Sequence, residues 1–211
     1  MQILIDTLLN WLYGPLAFAY DFVAWLVSAG YWKGWVLSVL SKIEGQRVLE
    51  IGYGPGHLQL AALENQINIY GIDASIQMAR MAKKRLEISR QPGKLIIGKA
   101  QALPYPTDSF SQVISTFPSE YCIQPETLAE VSRILDSDGI WIILNSAKLE
   151  FPRFIRRAAT SLERFTSPPR GFASTMTAHL EQAKFNVEWK SQLFRNSILY
   201  YVYAKPCQDQ N

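Results

Sequence analysis

Three glycines at alternate positions, Gly52, Gly54 and Gly56, follow the apolar run Val48-Leu49-Glu50-Ile51 and precede His57. A strand that delivers such a turn into a helix start lets a ligand approach the backbone closely and aims N–H groups at negative charge. That suits the binding of a nucleotide-bearing cofactor. Roughly 20 residues on, Asn68-Ile69-Tyr70-Gly71-Ile72-Asp73 reads as a second buried strand ending in a carboxylate, placed to accept ribose hydroxyls. NAD and S-adenosylmethionine would both use it. The dinucleotide fingerprint G-x-G-x-x-G needs a glycine at position 57, where this chain has His57.

The elements that must hold these residues alternate between strand and helix, which predicts a parallel sheet covered by helices on both faces. Strands are expected over Arg47–Gly52, Asn68–Asp73, Lys94–Gly98, Gln112–Phe117 and Ile140–Ser146. In the helix expected over Ser75–Arg90, Ile76, Ala79, Ala82 and Leu86 form the buried stripe, with Arg80, Lys83, Lys84 and Glu87 opposite. Pro125 opens a further helix over Glu126–Leu135, and the turn Asp136-Ser137-Asp138-Gly139 closes it. Two late strands, Phe185–Leu193 and Ser197–Ala204, are joined by Phe194-Arg195-Asn196 as an antiparallel hairpin at a sheet edge.

At 211 residues, with 48% hydrophobic and 12% aromatic composition, the chain can bury a full core and is most simply one domain with an appendage. A net charge of +3 does not call for a nucleic-acid partner. Cys122 and Cys207 form no C-x-x-C pair and the histidines are not paired, so neither a disulfide framework nor a metal site is expected, and a reducing cytoplasm fits.

Taken together these residues resemble the class I S-adenosylmethionine-dependent methyltransferases, in particular the small-molecule branch that includes the quinone-biosynthesis enzymes. The family's first motif is matched at Glu50, Gly52, Gly54 and Gly56, and its second-strand acid at Asp73. The likeness continues through Leu103-Pro104-Tyr105, Phe110, Val113 and Arg133 to Gly139, and Tyr200 to Pro206 looks like the family's last strand. The resemblance implies a doubly wound, Rossmann-like α/β fold: a mostly parallel seven-stranded sheet with an antiparallel edge hairpin, plus an N-terminal helical cap. It implies S-adenosylmethionine as cofactor, with the amides of the glycine turn and the following helix start, His57 to Leu63, taking the methionine carboxylate. Glu50 would brace that turn or reach the amino group through water. Asp73 would hold the ribose, and Ala100 and Gln101 would meet the adenine. Two departures stand out. The family's adenine-binding acid is replaced by Gly98-Lys99-Ala100-Gln101, and its aspartate after the phenylalanine by Ser111-Gln112, a position that tunes the strand start.

The expected organisation is an apolar helical cap (1–44), a cofactor-binding core (45–146), a basic helical insertion (147–180), a β-hairpin completing the sheet (181–205) and a tail (206–211). Residues 1–41 carry only Asp6, Asp21 and Lys33 as charges, among Trp11, Trp25, Trp32 and Trp35. The segment lacks the basic n-region of a secretory signal, and its longest uncharged run, residues 7–20, is short of the roughly 20 residues a spanning helix needs. Two readings stand: helices that cap the substrate side of the sheet, or a surface that also rests on a membrane. In the insertion, Lys148, Arg153, Arg156, Arg157, Arg164 and Arg170 face only Glu150 and Glu163. A solvated basic face is one reading. Contact with an anionic membrane through 153–164, or with an anionic substrate, is the other.

On the acceptor side, Ser115 to Tyr121 should reach the carboxyl edge of the sheet, with Glu120 or Tyr121 as general base. Tyr13, Tyr20 and Trp35 are candidates to line the pocket, and His57 to neighbour the methionine tail. The expected activity is methyl transfer to oxygen or carbon of a small apolar acceptor, lipid- or quinone-like. A non-catalytic cofactor-binding adaptor is the alternative, and His57 disfavours a nicotinamide oxidoreductase.

Overall fold

A computed structural model of the chain describes residues 31–149 and 172–207. The described elements run α1 (Trp32–Leu37), β1 (Val48–Ile51), α2 (His57–Glu64), β2 (Ile69–Asp73), α3 (Ile76–Ile88), β3 (Lys94–Ile97), β4 (Phe110–Thr116), α4 (Pro125–Ile134), β5 (Leu135–Leu149), α5 (Phe172–Gln182), β6 (Phe185–Phe194) and β7 (Ser197–Pro206). Short 3-10 turns follow α1 at Ser38–Lys42 and precede α4 at Glu120–Ile123. The basic stretch 153–164, Tyr13 and Tyr20 lie outside the described residues.

Seven strands make one sheet in the order β3-β2-β1-β4-β5-β7-β6. The first five pair in parallel, and β7 runs antiparallel to both β5 and β6. The doubly wound fold and its closing hairpin are therefore as the residue pattern predicts. Arg195 turns the hairpin in left-handed backbone, φ 53°.

Apolar residues on the two sheet faces build two cores. Leu49, Val113, Trp141 and Ile143 pack with Leu128, Val131, Met176 and Leu180 of α4 and α5 on one face. Val48, Ile114, Ile142 and Leu144 pack with Trp35, Val39, Leu58 and Ala62 on the other. Strands whose neighbours cover both faces read as near-continuous apolar runs, as β1 does apart from Glu50, with all four residues buried.

Three local expectations are corrected. Ile76 is 50% exposed and the stripe on α3 is Met78, Ala79, Ala82 and Leu86, because Ile76 is the first helical residue, beyond the sheet. The N-cap is Ser75, whose hydroxyl accepts from the Met78 N–H. Residues Asp136–Gly139 do not separate helix from strand. They bulge within β5, whose pairing with β4 steps from Phe110↔Leu135 to Gln112↔Ile140. Trp35 is 1% exposed and donates its indole N–H to Ser197 Oγ at 3.0 Å, so it fastens α1 to β7 in the core instead of lining a pocket.

The departure at Gln112 also has a physical account. Its buried amide accepts from the Glu44 and Gly45 N–H groups (3.2 and 3.1 Å) and donates to the Lys42 carbonyl (2.8 Å). That set of bonds ties the segment before β1 to the start of β4.

Candidate active site

Open α/β sheets bind ligands outside the carboxyl ends of the strands, where the strand order reverses. Here that point lies between β1 and β4. A cleft of about 650 Å³ opens there, walled by Ile51 and Gly52 after β1, Ile72 to Gln77 after β2, Gly98 to Gln101 after β3, and Thr116 to Ser119 with Tyr121 after β4. Its size falls in the range of small-molecule and cofactor sites.

The glycine turn contributes room. Gly52, Gly54 and Gly56 all have positive φ (77°, 53° and 80°), a region that costs other residues strain. A Cβ at Gly54 would meet nothing within 4 Å, so this backbone faces open space in the cleft wall. A Cβ at Gly52 would stand 2.8 Å from the Tyr121 hydroxyl. At Gly56 it would meet Ala82 Cβ at 2.8 Å, so Gly56 serves the packing of α2 on α3 and is not part of the cleft wall.

The expectation that the glycine amides receive a carboxylate is corrected. Gly52 donates to Ile72 O (2.8 Å), Gly54 to Asp73 Oδ2 (2.8 Å) and Gly56 to Tyr53 O (3.0 Å). The three glycine donors are thus used within the protein. The Arg85 guanidinium donates to the Pro55 carbonyl and clamps the turn from α3.

Asp73 ends β2 in the cleft wall, its two oxygens accepting from Gly54 N–H and Ser75 N–H at 2.8 Å each. Burial raises its pKa, and those two bonds pull the other way. The bonds fix the carboxylate's orientation, and each oxygen keeps a lone pair for a hydroxyl donor.

Glu50 is 1% exposed and does not face the cleft. It accepts from Gln59 Nε2 at 2.8 Å, and Gln59 also donates to the Tyr70 carbonyl at 3.2 Å. Burial pushes its pKa to about 8, opposed by the Gln59 bond and assisted by the charge of Asp73. Of the two roles expected for Glu50, this geometry suits bracing the turn from beneath, among buried polar groups. The partner Gln59 carried a faint signal in the sequence: a polar residue between Leu58 and Ala62 on the buried side of α2.

After β3, Ala100 and Gln101 both line the cleft, and Gln101 Nε2 donates to Gln124 Oε1 at 2.6 Å. Their loop is held by Arg133, which donates to the carbonyls of Leu103 (3.1 Å) and Tyr105 (2.8 Å) and pairs with Glu130 at 2.7 Å. Glu130 in turn accepts from the Leu103 N–H at 2.6 Å. The Arg133 bond holds the Glu130 pKa below the usual carboxylate value.

After β4 the two general-base candidates separate. Glu120 is exposed and outside the cleft wall, because the 3-10 turn at Glu120–Ile123 points it to solvent. Tyr121 lies in the wall, but its hydroxyl donates to the Ile51 carbonyl at 3.1 Å and so fastens the end of β1. Neither is poised to take a proton. His57 opens α2 half-buried, outside the wall. The sequence reading missed Ala74, Ser75, Ile76 and Gln77 as cleft residues. Their signal was position alone, each falling directly after a strand's carboxyl end.

Residues 48–139 match the Methyltransferase domain family. Among relatives, a demethylmenaquinone methyltransferase of Symbiobacterium thermophilum is 30% identical over 156 residues, covering 69% of this chain and 61% of that protein. A candidate S-adenosyl-L-methionine-dependent methyltransferase of Methanococcus maripaludis superposes with a TM-score of 0.65 at 17% identity, over 91% of this chain and 93% of that one. A geranyl diphosphate C-methyltransferase of Streptomyces coelicolor, solved with S-adenosyl-L-homocysteine, superposes with a TM-score of 0.55 at 10% identity, over 77% of this chain and 73% of that one.

Residues 48–139 therefore carry a methyltransferase domain, and the chain is similar to the class I S-adenosylmethionine-dependent enzymes, those of quinone biosynthesis among them. It spans about three fifths of the length of the curated relative just named. Among the described residues, no helix is long and apolar enough to cross a membrane.

Proposed function

We propose that this chain is an S-adenosylmethionine-dependent methyltransferase that moves a methyl group to oxygen or carbon of a small, apolar, lipid- or quinone-like acceptor by in-line displacement. The observation that carries the reading is the cleft at the strand reversal, where the open backbone of Gly54 adjoins the Asp73 carboxylate, itself oriented by two N–H groups. A Cβ-free wall accommodates a chain lying against it, and a fixed carboxylate suits a ribose diol. When bound, the cofactor supplies a methyl group activated on a sulfonium sulfur.

The protein's own share is placement. Gly52 and Gly54 give room for the methionine end, Asp73 accepts from the ribose hydroxyls, and Ala100 with Gln101 walls the adenine. Gly56, Glu50 and Tyr121 keep the turn in shape from behind. Thr116 to Ser119 form the neighbouring wall, where the acceptor would stand. Holding acceptor and methyl collinear at about 3 to 3.5 Å supplies much of such a rate without an acid or base. The similarity to a demethylmenaquinone methyltransferase supports a flat apolar acceptor. The tryptophan-rich N-terminal segment supports the same class. Action in a reducing cytoplasm accords with the free thiols of Cys122 and Cys207. Peripheral contact with an anionic membrane through 153–164 completes the proposal.

Thermal shift with S-adenosylmethionine, S-adenosylhomocysteine and NAD tests the cofactor. A ligand at 100 times its Kd adds about 2.7 kcal/mol, and the first two should shift Tm while NAD does not. Labelled S-adenosylmethionine with a crude lipid extract should yield S-adenosylhomocysteine. Cofactor binding without that product would overturn the enzymatic reading.

A further inference from the structure

Six non-glycine residues among those described have positive φ, and five of them are polar or charged: Gln66, Arg90, Asp108, Lys184 and Arg195. The sixth is Phe117, φ 49°, in the cleft wall at the end of β4. A bulky residue in this region stores backbone strain that the surroundings must hold in place.

The strain has a visible consequence. Side chains alternate along a strand, and Val113 lies in the core with Trp141, to whose indole Ser115 is bonded at 3.2 Å. Continued alternation would send Phe117 to that same face. Instead it packs on the opposite face, against the cluster of Trp35 and Leu144. Its ring stacks on Trp32 with centroids 4.4 Å apart and planes 29° from parallel, and Trp35 stands 6.2 Å away. The Phe117 N–H still reaches the Leu144 carbonyl at 2.7 Å, so the backbone is pinned while the ring is turned over.

A strained aromatic pinned on both sides, one residue beyond Thr116 in the wall of the cleft, is more than core filling. Resting on the methyltransferase reading above, the geometry points to Phe117 as the acceptor-side specificity residue, presenting an aromatic edge or face to a flat, unsaturated acceptor ring. Trp32 is its positioning residue. An aromatic contact of this kind is worth up to about tenfold in affinity over an aliphatic one of similar size.

The test uses the full chain saturated with S-adenosylhomocysteine. Two probes are titrated by calorimetry without oxygen: 1,4-dihydroxynaphthalene and its saturated counterpart decahydronaphthalene-1,4-diol. The wild type should prefer the flat probe by about tenfold. Phe117→Leu should lose most of that preference and Phe117→Tyr keep it. Trp32→Leu should weaken the flat probe's binding and Trp32→Phe restore it, while S-adenosylhomocysteine affinity stays within about twofold, the ring contact lying outside the nucleoside wall. Absence of preference in the wild type, or its persistence in Phe117→Leu, overturns the inference alone. Failure of S-adenosylhomocysteine to bind the wild type overturns the methyltransferase reading beneath it. If Trp32→Leu does not hold the nucleoside, the Phe117 pair decides.

Discussion

Replacing Glu50 with glutamine isolates the electrostatic cost built into the glycine turn. Glu50 is 1% exposed with a pKa near 8, against an ordinary value of 4.5. Below pH 4.5 the carboxyl is protonated in both folded and unfolded chains and costs nothing. As pH rises past 4.5 the unfolded chain releases its proton while the folded chain keeps it. Stability then falls by about 1.4 kcal/mol per pH unit until the folded group ionises near 8. The full loss is on the order of 4 to 5 kcal/mol, a large fraction of a typical domain's stability. Glutamine keeps the shape and an acceptor for Gln59 but has no proton to lose. Relative to their difference at low pH, Glu50→Gln should therefore gain on the wild type by about 1 kcal/mol at pH 5 and by about 3 kcal/mol at pH 7. Asp73 also has a raised pKa, but it is present in both proteins, so its direct contribution cancels in the difference. Urea unfolding followed by circular dichroism at pH 5, 6, 7 and 8 gives the comparison. Parallel stability curves for the two proteins would refute the reasoning, since they would mean that Glu50 ionises in the folded state as readily as in water.

Further outcomes follow from the same geometry. Asp73→Ala removes the acceptor of the Gly54 and Ser75 N–H groups, and should abolish the thermal shift with S-adenosylhomocysteine while leaving a folded protein by circular dichroism. Gly56→Ala forces a Cβ to within 2.8 Å of Ala82 at φ 80°, so it should lower stability by about 1 to 3 kcal/mol in urea titrations. Arg133→Ala frees the Leu103 and Tyr105 carbonyls and should weaken S-adenosylhomocysteine binding in calorimetry by loosening the loop that follows Ala100 and Gln101, the proposed adenine wall. Glu120→Gln should leave the methyl-transfer rate unchanged across pH, because that side chain stands outside the cleft, and a tenfold loss would return it to the chemistry.

The order of strands and helices and the position of a cleft bordered by Asp73 were legible in the chain itself. Each rests on local pattern: apolar runs bounded by glycine, a carboxylate at a strand end, and a helix-opening proline at Pro125. Those signals survive because backbone propensity and burial act on neighbours in sequence. What only the tertiary structure decided depends on contacts between distant segments. The amides of Gly52 and Gly54 look available in a motif, but are taken by Ile72 and Asp73 once β2 lies beside β1. Glu50 reads either as a brace for the turn or as a water-bridged cofactor contact, and only α2, bringing Gln59 over it and excluding water, favours the brace. Phe117 follows a strand whose alternation, continued, assigns it to one face, and the approach of Trp32 and the bond to Leu144 hold it on the other. A side chain's role follows from which donors, rings and solvent it meets, and those partners arrive from far along the chain.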